Sequence, residues 1–394
     1  MAKSISTQLT LTRYLYIKDE VKYCILLSLL DKKSIDVVLY WVYELYYSGY
    51  EEELFEYVRY LYFDFYALSN PKFYNFIDKQ HSLWLETNDD IIIGFIFKNL
   101  FMLPSSHTIF CIRQYILNGG TCKSIYKGRK PTWLLKYKNT YHNVLRSIKN
   151  KSFIDIYYYL SKLNNDDIKH CLYEVGKYFE NEEGKDIPQE FYDTYDEAYD
   201  DMIHKDVSHV WICTILNLME YEPVKEEKKH IYVKLSKTEI ESIRSIERDL
   251  CKPLYKTLQF KRLYGIHKDV KYFRLMRNNF KLFENYNFID EIQHHWLYYC
   301  RETPRYKDLL NKYQDVVVNH EKREIIFKND DDHEHFYENY GYFEPDEQNN
   351  ETIQKVFKYN DDKDDNNENN VNINTFVNDT KLNITFDLML RFIY

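Results

Sequence analysis

From Asp19 to Asn118 apolar residues recur at steps of three and four with hardly a break, and that period admits helices and little else. A first helix is expected to start near Asp19, whose carboxylate can cap free backbone N–H groups. It carries Val21, Cys24, Ile25, Leu27, Leu29 and Leu30 as far as Asp31-Lys32-Lys33. Ser34 is the expected cap of a second helix with Val37, Val38, Trp41, Leu45 and Tyr46, closed by Gly49. Glu51-Glu52-Glu53 sits where a third helix dipole is positive, and the stripe Leu54, Tyr57, Val58, Leu61, Phe65 and Leu68 predicts one helix up to Ser69-Asn70-Pro71. A fourth is predicted from Asn88-Asp89-Asp90 through Ile91, Ile92, Phe95, Ile96, Leu100 and Phe101 to Pro104. Ser105 or Ser106 caps a fifth that stops at Asn118-Gly119-Gly120. Short connections force neighbouring helices antiparallel, so the expected fold is mainly α: an N-terminal bundle or solenoid of antiparallel helix pairs, followed by a smaller α+β region.

After Gly120 the pattern thins. Lys123–Trp133 reads as a basic loop opening into helix near Pro131. Helices are predicted at Phe153–Leu163 and behind Asn165 or Asp166, and a central buried one at Val207–Tyr221 ended by Pro223. Ile231–Leu235 alternates like a short strand, and Ser236 with Glu239 forms a capping box. Phe288–Arg301 reads as helix, and Asp315–Val318 with Glu324–Phe327 as a hairpin. The expected domains are 1–222, helical; 223–360, mixed α+β; 361–370, an acidic disordered insert; and 371–394, a strand-like tail.

Composition enters as a caution. Nine Gly and eight Pro in 394 residues, with forty Tyr, match the codon bias of an AT-rich genome, so abundant Tyr is weak evidence for base stacking. Seven Cys without a CxxC or an even framework read as reduced core thiols. The N-terminus has no apolar core of a signal peptide, and Ile91–Leu103 is too short to span a bilayer, so the expectation is a non-secreted protein without membrane attachment.

Charge is sharply partitioned along the chain. Residues 180–202 hold ten acids against one Lys and 329–370 fourteen against three, so the remainder carries +11 against an overall −9. Within that remainder, 123–151 has nine Lys/Arg and no acid, and 252–281 nine and one Asp. Lys127, Arg129, Lys130, Lys136 and Lys138 with Trp133, and Lys261, Arg262, Lys271, Arg274 and Arg277 with their neighbouring rings, have the composition of a nucleic-acid groove. The competing explanation is that these faces pair with the chain's own acidic blocks.

Enzyme signatures are missing from the pattern. Neither GxxxxGK nor GxGxxG occurs, and Ser105-Ser106-His107 after Pro104 is better explained as a helix cap than as a nucleophile with its base. Asp330–His335 supplies carboxylates and two imidazoles, His333 and His335, that could face one way in an extended segment. Nothing else completes a metal motif. No cofactor and no catalytic residue is therefore expected.

The segments Leu39–Glu53, Asn99–Thr108, His295–Pro304 and Phe336–Gln348 resemble proteins of giant nucleocytoplasmic large DNA viruses, mimivirus-like, that carry no assigned activity. The resemblance implies a host-cytoplasmic or virion setting and viral or host protein partners. The helix–helix–Ser-Gly–helix order over 19–68 is similar to the collar of clamp-loader subunits, whose ATPase part has no counterpart here. The expected role is a non-enzymatic scaffold or adaptor for other proteins; the alternative is a nucleic-acid-binding accessory factor of viral replication or transcription.

Overall fold

The computed structural model describes residues 10–13, 18–32, 34–117, 119–122, 126–185, 187, 189, 192–193, 208–220, 232–248 and 295–340. These residues are mainly helical, with one small two-stranded antiparallel sheet near their C-terminal end. The expected boundary at 223–230 falls outside them, as do the insert 361–370 and the tail 371–394.

The first group comprises α1 (Lys18–Asp31), α2 (Ile35–Tyr46), α3 (Glu51–Leu61), α4 (Phe73–Thr87) and α5 (Ile91–Met102). α2 lies at its centre, packed on α1, α3 and α5, and every residue from Val38 to Tyr46 is buried. Ser34 stands at the N-cap position of α2 in extended conformation, but its side chain makes no capping bond. Gly49 takes φ +89 in the turn after α2, and a side chain there would also press into Pro304, its Cβ 2.6 Å from that of the proline. Backbone handedness and close approach both demand the glycine.

The single third helix expected over 51–68 is corrected. α3 stops at Leu61, and Tyr62–Tyr66 widens into a π turn in which the Ala67 amide reaches back to the Tyr62 carbonyl at 2.7 Å. The extra residue per turn swings Asp64 inward to a buried guanidinium, a long-range demand that local periodicity does not encode. α4 fills a gap between the expected third and fourth helices. Asn75, Asp78, Lys79 and Gln80 interrupt its apolar period, yet Phe73, Tyr74, Phe76, Ile77 and Trp84 are buried. Asn88, in left-handed conformation, ends α4, while Asp89 caps α5 through a 3.0 Å bond from the Ile91 amide.

The second group is α6 (Thr108–Leu117), α7 (His142–Lys149), α8 (Phe153–Leu160), α9 (Asn165–Glu183) and α10 (Ser208–Glu220). Ser106 accepts from the Thr108 amide at 3.4 Å, the cap role expected of it. For α9 the cap is one residue earlier than expected: Asn164 Oδ1 accepts from the Asp167 amide at 2.8 Å. α10 is the central helix of this group, packed on α6, α8, α9 and the π turn, with Val210, Cys213, Ile215 and Leu216 buried.

Residues after the expected boundary return to the first group. The strand expected at Ile231–Leu235 is, over its described residues 232–235, an extended segment outside any sheet. Asn99 of α5 serves it as a strand edge would: its amide nitrogen donates to the Val233 carbonyl at 3.1 Å and its oxygen accepts from the Val233 amide at 2.9 Å. The Ser236–Glu239 capping box is present, and it opens α11 (Lys237–Arg248), which lies on α2. Lys98 of α5 pairs with Glu239 at 2.7 Å. Farther along come a helical turn at 295–300, α12 (Pro304–Leu310), β1 (Val317–Asn319), β2 (Glu324–Ile326) and α13 (Asp330–Tyr340). The hairpin pairs Val317 with Ile326, Val318 with Ile325 and Asn319 with Glu324.

Leu11-Thr12-Arg13 forms a buried strap between the two ends of the described chain. Arg13 Nε is 3.1 Å from Glu44 Oε2, and its backbone amide donates to Ser48 Oγ at 2.9 Å. From the far side, the Thr303 hydroxyl donates to the Leu11 carbonyl at 2.5 Å and the Tyr306 hydroxyl to the Arg13 carbonyl at 2.8 Å.

Candidate functional site

The first basic segment is built on a 3-10 turn, Thr132–Lys136, that Pro131 starts, followed by a second at Asn139–Tyr141 leading into α7. Trp133 lies 5.5 Å from the Tyr178 ring of α9, and Lys149 of α7 sits 4.5 Å above it. Tyr137 is only 6% exposed and is 6.2 Å from the same Tyr178. Trp133, the ring expected to offer a stacking platform, is thus packed against α9 together with Tyr137. Lys136 donates to Glu182 at 2.8 Å, and the hydrogen bond and charge of Glu182 hold its ammonium above the ordinary lysine range. Lys138 is 3.9 Å from Asp167 and lies over the Tyr141 ring, whose hydroxyl is pushed up to about 12 by burial and then by Asp167. Both lysines stay more than half exposed, at 62% and 59%, so these pairs are screened and weak.

Lys127, Arg129 and Lys130 are exposed at a turn where Gly128 has φ +99, and Lys130 donates to Asn139 Oδ1. Lys261, Arg262, Lys271, Arg274 and Arg277 lie outside the described residues.

The extended geometry expected around His333 and His335 is corrected. Asn329 caps α13 by accepting from the Asp332 amide at 2.7 Å, and both histidines are on that helix. Two residues apart on a helix means roughly 200° of rotation, so the imidazoles diverge. His333 packs 4.9 Å from Tyr337, and His335 Nδ1 lies 3.0 Å from the Tyr313 hydroxyl. Among the described residues no group of three His, Cys, Asp or Glu could hold a metal ion, and no helix is long and apolar enough to cross a membrane.

The structure adds an open cavity of about 690 Å³ at the corner between α2 and α3, which sequence reasoning missed. Tyr46, Gly49, Tyr50, Glu51, Glu52, Glu53, Trp84 and Asn88 line it. Its aromatic wall is tied together: the Trp84 indole donates to the Tyr46 hydroxyl at 2.9 Å and lies 4.7 Å from the Phe55 ring. Along the rim the three glutamates differ. Burial raises the Glu51 carboxyl above its ordinary range, helped by Glu52 and Asp308. For Glu53 burial acts in the same direction, but Lys22 and Lys18 outweigh it and the net shift is downward. The local signal for this cavity was Glu51-Glu52-Glu53, which helix-dipole complementarity explains equally well. Its other walls come from α2 and α4 and are invisible to a local pattern.

No family model, curated protein or solved structure matches the chain.

Proposed function

We propose that the protein is a non-enzymatic helical scaffold or adaptor mediating protein–protein interactions, in the giant-virus setting that the sequence resemblance implies. The observation that carries this reading is the corner cavity, with Trp84 in its wall and Leu83 and Leu85 exposed on either side of that residue in α4. An aromatic wall with exposed leucines beside it and a charged rim is the composition of a protein interface. Further exposed apolar side chains, Met102 on α5 and the cross-strand pair Val317 and Ile326, offer additional contact area. Pairing of Lys136 and Lys138 with carboxylates of α9 supports the same reading, because it draws the basic segment toward the chain's own acids.

A second reading, nucleic-acid binding, is favoured by the exposed turn of Lys127, Arg129 and Lys130. Affinity purification of the tagged chain with and without nuclease separates the two. Protein partners that persist after nuclease treatment support the scaffold. Loss of every partner, with probe binding abolished by reversing Lys127, Arg129 and Lys130, supports the alternative.

A further inference from the structure

The cations of the first basic segment fall into two sets according to what they meet. Lys136 and Lys138 turn to carboxylates of α9. Lys127, Arg129, Lys130, Arg146 and Lys149 form no ion pair among the described residues, and the one partner of Lys130, Asn139, is neutral. The only acid between positions 126 and 160, Asp155, is fully buried and accepts from the Ser152 hydroxyl at 2.8 Å.

Contacts of two rings bring this second set together. Arg146 and Lys149 are three positions apart on α7 and so are neighbours on its surface. Arg146 lies 5.2 Å from the centre of the Tyr126 ring and Lys149 4.5 Å from that of Trp133. The Tyr126 hydroxyl is also 3.2 Å from Ser147 Oγ and accepts from the Asn150 amide at 3.3 Å. In sequence the two rings bracket the turn Lys127–Lys130. Pinned to α7 at both ends, that exposed turn lies alongside the helix, and its three cations join Arg146 and Lys149 on one face.

Five cations without a carboxylate call for an anion of repeated charge, since a single phosphate would leave most of them unmet. The rings decide how such a polyanion is read. Besides its cation, each has another ring of the chain at its side: Tyr159 is 6.1 Å from Tyr126, and Tyr178 is 5.5 Å from Trp133. Neither is left open for an unstacked base, on which single-strand binding depends. Lys127-Gly128-Arg129-Lys130-Pro131 has no large apolar side chain to enter a bilayer.

We propose that this face binds the phosphate backbone of a double-stranded nucleic acid without reading its base sequence. The proposal rests on the nucleic-acid reading, narrows it to duplex phosphates, and puts Arg146 and Lys149 in the place of Lys136 and Lys138. The face belongs to the second helical group and the corner cavity to the first, so the scaffold reading does not depend on it.

The test measures binding of the full chain at low salt to labelled DNA and RNA duplexes, to a single strand of the same sequence, and to vesicles of phosphatidylserine with phosphatidylcholine. Duplex binding is expected to be indifferent to sequence and to weaken steeply with salt; the tighter duplex names the source of the phosphates. Arg146→Gln with Lys149→Gln is expected to weaken it on the order of tenfold and to reduce the slope of log affinity against log salt by about 2, with circular dichroism unchanged. Lys127→Gln with Arg129→Gln, in the exposed turn, is expected to do the same. The same loss of two charges at Lys136 and Lys138 is expected to have a smaller effect, because both are paired. An equal effect there overturns the proposal, since total charge would then drive binding. Tighter binding to the single strand or to the vesicles also overturns it. If reversing Lys127, Arg129 and Lys130 abolishes duplex binding while the Arg146→Gln, Lys149→Gln protein binds as the wild type does, the turn acts alone: this inference fails and the nucleic-acid reading stands. If the wild-type chain binds no nucleic acid, both fail.

Discussion

The corner around α2 and the basic turn ahead of α7 use the same charged residue types to opposite ends. Beside α2 one pair is interior, with Arg13 and Glu44 2% and 0% exposed, and a second such pair, Arg113 of α6 with Asp64 of the π turn, is 6% and 7% exposed. Ahead of α7, Lys136 and Lys138 meet Glu182 and Asp167 in water. Distances are comparable, 3.1 Å for Arg13–Glu44 and 2.8 Å for Lys136–Glu182, so geometry does not separate the two cases. Desolvation does. A buried partner cannot be replaced by solvent when it is removed, whereas an exposed one can.

The largest expected effect follows from breaking an interior pair. Glu44→Ala takes the carboxylate from Arg13 Nε and should cost about 3–5 kcal/mol, read as a collapse of the denaturation midpoint. Asp64→Ala should cost about as much, because Arg113 binds it through both Nε and a terminal nitrogen. If either variant melts with the wild type, burial is not what distinguishes the regions. Gly49→Ala comes next, at about 2 kcal/mol, since it combines a strained backbone with a clash at Pro304.

Glu53 and Glu51 sharpen the contrast within one helical turn. The folded carboxyl of Glu53 is lowered, so its stabilisation is present above the unfolded value near pH ~4.3 and is lost as pH falls through the folded one. Glu51 is raised, so its contribution is present below that unfolded value and is lost as pH rises through the folded one. At pH 7 Glu53→Gln should therefore lower stability and Glu51→Gln raise it, each by about 0.5 kcal/mol, and both differences should fade below pH ~4. Chemical denaturation at the two pH values reads the signs; equal signs at pH 7 would contradict the assignment. The smallest effect belongs to the basic turn: Lys136→Ala should leave the melting temperature unmoved and change only the local charge.

Which parts of this were legible beforehand depends on how local their causes are. Helices α1, α2, α3, α5 and α6, the Ser236–Glu239 capping box and the hairpin around Asn319–Glu324 follow from neighbours three or four positions apart, or from a turn, whereas α4, with its interrupted period, does not. The π turn does not, because Asp64 answers to Arg113, 49 positions away. Asn99 gave no hint that it would stand in for a strand, since its partner Val233 is 134 positions distant. The basic residues 127–138 were legible as charge, but their engagement with α9 was not. The corner cavity was illegible for the same reason, being assembled from α2, α3 and α4.

The strap has a consequence for how the chain is made. Thr303 and Tyr306 grip Leu11 and Arg13 across 292 and 293 positions. At roughly 5–20 residues per second, a ribosome takes on the order of 15–60 s to deliver that second half of the clasp. Until then the Leu11–Arg13 segment has its partners Glu44 and Ser48 already made but not Thr303 and Tyr306, so this clasp closes only after residue 306 has been added.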